Sequence, residues 1–135
     1  MAALGDDVRA LLDAPNFGHL ATVLPSGAPH VVPVWVGLDG DRVAFFTQPR
    51  SRKAQNLTRD PRVALSLTDF ENPYRSVWIR GRVAETLDGG PAFEIIDRIS
   101  VKYTGRPFPM RTGVVYLIEP ERSAYVQLPF QHTPT

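Results

Sequence analysis

Thr47, Ser51, Arg52 and Lys53 are the residues of this sequence whose types and spacing best suit a chemical task. Thr47 closes an apolar run, and Ser51 opens a polar segment of helical character after three intervening residues. A serine at a helix start accepts a hydrogen bond from the free amides of the first turn, so Ser51 is a predicted N-cap. Free N–H groups, the positive end of the helix dipole and two cations then converge on one point, which is the chemistry of a phosphate site. Across residues 45–62 five cations (Arg50, Arg52, Lys53, Arg59 and Arg62) face a single acid, Asp60. The residues alone leave a second reading open: a solvated surface helix that carries charge for solubility.

Other chemistries find little support. There is no cysteine, which excludes disulfides, thiolate metal sites and a cysteine nucleophile. His19, His30 and His132 lack metal-ligand spacing, so no metal site is expected. Ser26-Gly27 reads as a turn, because the Gly-x-Ser-x-Gly frame of a nucleophile elbow is absent. Asp6-Asp7 reads as helix-start chemistry. No side chain stands out as catalytic. A net charge of +1 over 135 residues gives no bulk field for nucleic acid, and the local basic patch suits a small anion better. No apolar run approaches the ~20 residues of a membrane span, and the N-terminus lacks a signal-peptide pattern. A cytoplasmic protein without membrane partners is expected.

A second stretch, Val31-Val32-Pro33-Val34-Trp35-Val36, is apolar on both faces of a strand and should be covered on both. Pro33 cannot donate to a ladder, which places it at a sheet edge or a bulge. Two covers are open: the barrel interior with a helix or a second subunit, or a flat ring against Pro33, Val34 and Trp35.

The aromatic pair and threonine of 45–47, followed after three residues by Ser51-Arg52-Lys53, resemble the phosphate-binding segment of the FMN-binding split-barrel family, the fold of pyridoxamine 5'-phosphate oxidase. The resemblance implies that Thr47, Ser51, Arg52 and Lys53 hold a cofactor phosphate. It also implies that the strand through Pro33, Val34 and Trp35 flanks the cofactor ring, with Phe46 beside it. Residues 72–83, together with Ile96-Asp97-Arg98 and Lys102-Tyr103-Thr104-Gly105, look like the branch that uses the deazaflavin coenzyme F420. On that resemblance the expected activity is hydride transfer from reduced coenzyme F420 to a small conjugated or quinone-like acceptor. Arg50 or Arg59 would meet the oligoglutamate tail, and Tyr74 and Trp78 would line the acceptor pocket. A homodimer with the cofactor site at the subunit interface is implied as well. The lack of a protein nucleophile fits an enzyme whose cofactor carries the reaction.

Two features set this sequence apart from its resemblance. Ser76 stands where flavin-using relatives often place glutamine, which disfavours FMN. The chain ends soon after Tyr125, without the segment that grips the pyridoxal substrate in the vitamin oxidases, so pyridoxamine phosphate oxidation is not expected. The alternatives are an FMN-dependent reductase or oxidase with the same phosphate site, and a non-catalytic flavin- or haem-binding protein. For the haem case His30 is the residue to watch as an axial ligand. From the residues alone, Asn72-Pro73 is a turn, and Tyr74 and Trp78 serve equally as core or interface aromatics.

The elements that must position these residues follow from period and punctuation. Residues 6–13 predict a short amphipathic helix ended by Pro15. Strands are predicted at 17–24, 29–38, 43–47, 63–68 and 76–86, with turns at Pro25-Ser26-Gly27 and Asp39-Gly40-Asp41. A helix starts at Ser51 and stops before Pro61, whose ring pushes Asp60 out of the α region. Residues 91–104 take helical period, with Ala92, Ile95, Ile96, Ile99 and Tyr103 on one face, Pro91 at the first position and Gly105 as C-terminal cap. The last strand is predicted at 113–118, resumed at 123–126, and the tail 127–135 with Pro129 and Pro134 should be loose or reach onto a partner. The sum is one domain over residues 1–135: a mainly β (β+α), six-stranded antiparallel split β-barrel with two to three short helices.

Overall fold

The computed structural model describes residues 2–133; Met1, Pro134 and Thr135 lie outside the described residues. Three helices, α1 (Asp6–Asp13), α2 (Arg52–Arg59) and α3 (Gly89–Thr104), accompany seven strands. These are β1 (Gly18–Val23), β2 (Pro29–Val34), β3 (Gly37–Asp39), β4 (Arg42–Thr47), β5 (Arg62–Thr68), β6 (Arg75–Leu87) and β7 (Val114–Gln127). All lie in one antiparallel sheet of order β2-β1-β5-β6-β7-β4-β3.

The expected strand over 29–38 is two strands, which raises the count from six to seven. The break at Trp35-Val36 has a topological cause. β2 and β3 are the two ends of the sheet, yet only these two residues separate them. Laid flat at about 4.8 Å per strand, the ends would stand about 29 Å apart. The link from Val34 to Gly37 reaches about 11 Å at most. The sheet must therefore curl until its ends nearly meet. No ladder joins β2 to β3, so the barrel is split and not closed.

Two apolar clusters hold this shape. Inside the curl, Leu20, Val36, Val43, Phe45, Leu65 and Ile79 pack with Leu12 of α1 and Leu57 of α2. Phe45 and Tyr116 stack there at 5.2 Å. On the outside of β4 and β7, Ala44, Val115 and Leu117 receive Ala92, Ile95, Ile96 and Ile99, the expected face of α3. β4 is thus covered on both sides. β2 is not: Pro33 is on an edge strand as expected, but the outward side is open and Val31 is 62% exposed. Among the described residues nothing supplies the second cover expected for this stretch on that outward side.

Two further boundaries differ from the sequence reading. α3 begins at Gly89, so Pro91 occupies the third position, where the amide still precedes the intrahelical ladder. β7 runs unbroken through Pro120, because that proline sits opposite Gly81 beside a register shift and has no ladder bond to lose. Gly81 is required there: a Cβ would lie 2.3 Å from the Glu119 carbonyl oxygen. Gly105 ends α3 at φ 79°, and the tail is tied by the Leu128 amide donating to the Tyr74 carbonyl at 2.9 Å. Among the described residues no helix is long and apolar enough to cross a membrane.

Candidate functional site

At the split in the barrel a cleft of about 380 Å³ is lined by Phe17, Pro33, Val34, Trp35, Phe46, Lys53 and Phe108. Its walls follow from the topology. Pro33 to Trp35 come from the end of β2 as the chain leaves one sheet edge, and Phe46 comes from β4 next to the other. Trp35 is fixed by rings on three sides. It stacks on Tyr103 at 5.2 Å and 7°, and meets Phe46 (6.2 Å, 70°) and Phe108 (6.5 Å, 82°) edge-on. Phe46 and Phe108 also meet edge-on at 5.0 Å. The result is a flat-sided aromatic slot, a shape that accepts a planar conjugated ring.

Lys53 joins this slot to the start of α2. Ser51 is the N-cap: its Oγ accepts from the Ala54 amide at 3.1 Å and from Thr47 Oγ1 at 2.9 Å. With both acceptor positions used, the Ser51 hydroxyl proton is free to donate outward. Thr47, almost buried at the end of β4, therefore orients Ser51 and presents no donor of its own. The amides of Arg52 and Lys53 precede the helical ladder and add two more donors.

The five cations of this stretch divide sharply. Arg62 is paired with Asp60 at 2.7 Å, which lowers the Asp60 carboxyl to about 2. Arg59 donates to the Val23 carbonyl and to Asn56 Oδ1 at 3.5 Å. Of the pair expected to meet an anionic tail, Arg59 thus has internal acceptors. The side chains of Arg50, Arg52 and Lys53 have no polar partner among the described residues. The first turn of α2 holds two of them and no acid, which is the unfavourable sign for a helix N-terminus. Partial burial also lowers the Lys53 ammonium below its ordinary pKa. An anion at this point relieves all three penalties at once. The donor set fits a phosphate.

Of the remaining sequence candidates, Tyr74, Ser76 and Trp78 do not line the cleft. Ser76 and Trp78 point away from the barrel interior on β6, opposite Thr68 and Ser66 of β5. Tyr74 packs edge-on against Phe130 at 5.4 Å. Trp78 faces a shallow groove of about 350 Å³ with His19, Ala21, Val31, Ala64 and Ser66. His30 is on β2 opposite Thr22, with a buried Nδ1 that has no hydrogen-bond partner among the described residues, and is not part of the cleft lining. Sequence reasoning missed Phe17 and Phe108. Phe17 stood at the start of a strand, and Phe108 in the Pro107–Pro109 loop, where no period marks a wall.

Comparison with known proteins bears on this geometry. A family model described as pyridoxamine 5'-phosphate oxidase matches residues 4–127. A pyridoxine/pyridoxamine 5'-phosphate oxidase of Cupriavidus pinatubonensis is 34% identical over 107 residues, 78% of this chain and 46% of that protein. One from Kineococcus radiotolerans is 32% identical over 108 residues, 80% of this chain and 44% of its own length. The chain thus spans about half the length of the curated relatives it matches. Among solved structures, an F420 reductase is 30% identical with a TM-score of 0.78, covering 90% of this chain and 98% of that one. A conserved hypothetical protein of Mycobacterium tuberculosis shares the fold at 24% identity and a TM-score of 0.80, covering 100% of this chain and 94% of that one.

Proposed function

The chain belongs to the pyridoxamine 5'-phosphate oxidase family of FMN-binding split-barrel proteins, and on that premise we propose that it is an oxidoreductase using reduced coenzyme F420 as hydride donor. The observation that carries the reading is the junction at Lys53, where an aromatic slot meets three unpaired cations and a capped helix start. Likeness to an F420 reductase over nearly its whole length supports the deazaflavin choice.

In this reading Ser51, Arg52 and Lys53 hold the phosphodiester through charge-assisted bonds, with Thr47 orienting the serine. Arg50, exposed and unpaired, meets the carboxylates of the oligoglutamate tail. Pro33, Val34, Trp35 and Phe46 back the ring and exclude water from one of its faces. When bound, the reduced deazaflavin supplies a hydride. The acceptor is a small conjugated or quinone-like molecule. Tyr74, Ser76 and Trp78 lie outside the cleft of a single chain, so a contribution from them requires a homodimer that brings the outer sheet face of one subunit to the cleft of the other. We include that dimer in the proposal.

A second reading, an FMN-dependent reductase or oxidase, is favoured by the oxidase names of the curated relatives and uses the same phosphate site. Titration of apo protein with coenzyme F420 and with FMN, each followed by ring fluorescence, separates the two. Tight F420 binding with weak FMN binding is the expected result. The reverse preference moves the protein to the flavin reading, and no binding of either removes both.

A further inference from the structure

Trp35 and Val36, the link between the two ends of the sheet, have no strand on either side, yet Val36 is fully buried. Its backbone groups need partners that a ladder does not supply. Two consecutive residues of α3 provide them. The Val36 amide donates to the Tyr103 hydroxyl at 3.1 Å, and the Val36 carbonyl accepts from Lys102 Nζ. The same two groups also grip the segment after α1: Tyr103 donates to the Asn16 carbonyl at 2.6 Å, and Lys102 Nζ to the Leu12 carbonyl at 2.8 Å. Asn16, 2% exposed, extends the junction by donating to the Leu11 carbonyl at 2.9 Å and accepting from the Phe70 amide at 2.7 Å.

We propose that Tyr103, assisted by Lys102, is a positioning residue that sets the ring wall of the cleft by bolting the 35–36 link to the 12–16 segment while its own ring backs Trp35. Three observations converge on this role. The cleft-lining residues Pro33, Val34 and Trp35 immediately precede the bolted residue. The Tyr103 ring lies 5.2 Å from Trp35 and within 7° of parallel, so hydroxyl and ring act on adjacent residues of the same link. Phe17, another wall of the slot, packs on that ring at 5.8 Å, next to the gripped Asn16. One side chain thus registers two walls of the slot against each other. The inference rests on the reading of the slot as a cofactor site, but its first test does not.

Tyr103→Phe keeps the stacked ring and removes the hydroxyl. In a Trp78→Phe background Trp35 is the remaining tryptophan, and its emission reports the wall directly in the apo protein. Tyr103→Phe is expected to shift that emission to the red and at least double its quenching by acrylamide. In the otherwise unaltered chain it is expected to raise the dissociation constant for coenzyme F420 about five- to twentyfold, because binding constellations tolerate only about 0.5 Å of displacement. Lys102→Met, which leaves the tyrosine in place, is expected to move both readouts in the same direction by less. If thermal stability falls while Trp35 emission, quenching and F420 affinity stay as in the parent, Tyr103 only stabilises the fold and the inference is overturned. If coenzyme F420 binds neither parent nor variant, the functional reading fails, and the Trp35 signal alone still decides the positioning role.

Discussion

At the scale of single residues, the division of the cations separates structure from function. Arg59 and Arg62 are spent on Val23 and Asp60, while Arg52 and Lys53 stand unpaired at a helix start. Lys53→Ala and Arg52→Ala are each expected to weaken cofactor binding by about 1.5–3 kcal/mol, the worth of a charge-assisted bond to phosphate. Neither change should lower thermal stability, because no internal partner is lost; parallel titration and thermal melts check both halves. Unchanged affinity in both variants would show the anion site to lie elsewhere. Lys102 offers a test in the pH dimension. Burial lowers its ammonium from the ordinary 10.5 to about 8, against a partial rise from Asp13, with Arg98 lowering it further. Between those two values the unfolded chain holds a proton that the folded chain has released, so stability contributed at this position rises with pH. Relative to Lys102→Met, which does not titrate there, the parent should therefore gain thermal stability between about pH 8 and about pH 10. A difference between the two melting curves that is flat or shrinks over this window contradicts the assignment. Tyr103, itself raised by burial, titrates above it.

At the scale of elements, α2 shows a helix end that serves two purposes with one side chain. Ser51 caps the Ala54 amide and turns its proton outward beside Lys53. Ser51→Asp should dissociate the two roles. Aspartate caps about as well as serine and adds a favourable charge at the dipole's positive end, so stability should hold or rise by up to about 1 kcal/mol. The same carboxylate neutralises the anion site, so cofactor affinity should fall by an order of magnitude or more. Melting and binding measured on one sample give the answer; undiminished affinity with stability held would mean that the residue is a cap alone. This dual use is why the segment was legible in the sequence: cap, helix start and cations are local features, each readable within a few residues. The aromatic slot was legible only in part. Pro33, Val34 and Phe46 sit on strands and Trp35 directly follows one, whereas Phe17 and Phe108 become walls only because the sheet curls back on itself. The strand over 29–38 was misread for a related reason. Nothing in an unbroken apolar run marks the point at which the chain passes from one end of a sheet to the other, and the groups that replace the missing ladder, Tyr103 and Lys102, come from 67 and 66 residues away.

At the scale of the whole molecule, the open side of the barrel is the feature that a single chain leaves unfinished. Register lines up Pro33, His19, Ser66 and Trp78 across β2, β1, β5 and β6, with Val31, Ala21, Ala64 and Arg80 in the adjoining row. Ala21, Ala64 and Ser66, small residues in the middle of these rows beside His19, form a trough flanked by Val31, 62% exposed, and Trp78, 37% exposed. Pro33 belongs both to this face and to the cleft, so a second copy laid over the trough would abut the cofactor site. Arg80 lies 4.9 Å from the Trp78 ring, which keeps a charge at the rim of the face. In solution the protein is therefore expected to run as two chains of 15.0 kDa each by light scattering. Val31→Glu places a charge at the flank of the trough without touching either core cluster, and should release a folded monomer. If the cofactor site is completed across the interface, that monomer should also bind coenzyme F420 at least tenfold more weakly, since a tenfold loss corresponds to only about 1.4 kcal/mol of missing contact. A variant that stays dimeric shows the trough not to be the interface. A monomer with undiminished affinity shows that one chain holds the whole site, and then Tyr74, Ser76 and Trp78 have no part in it.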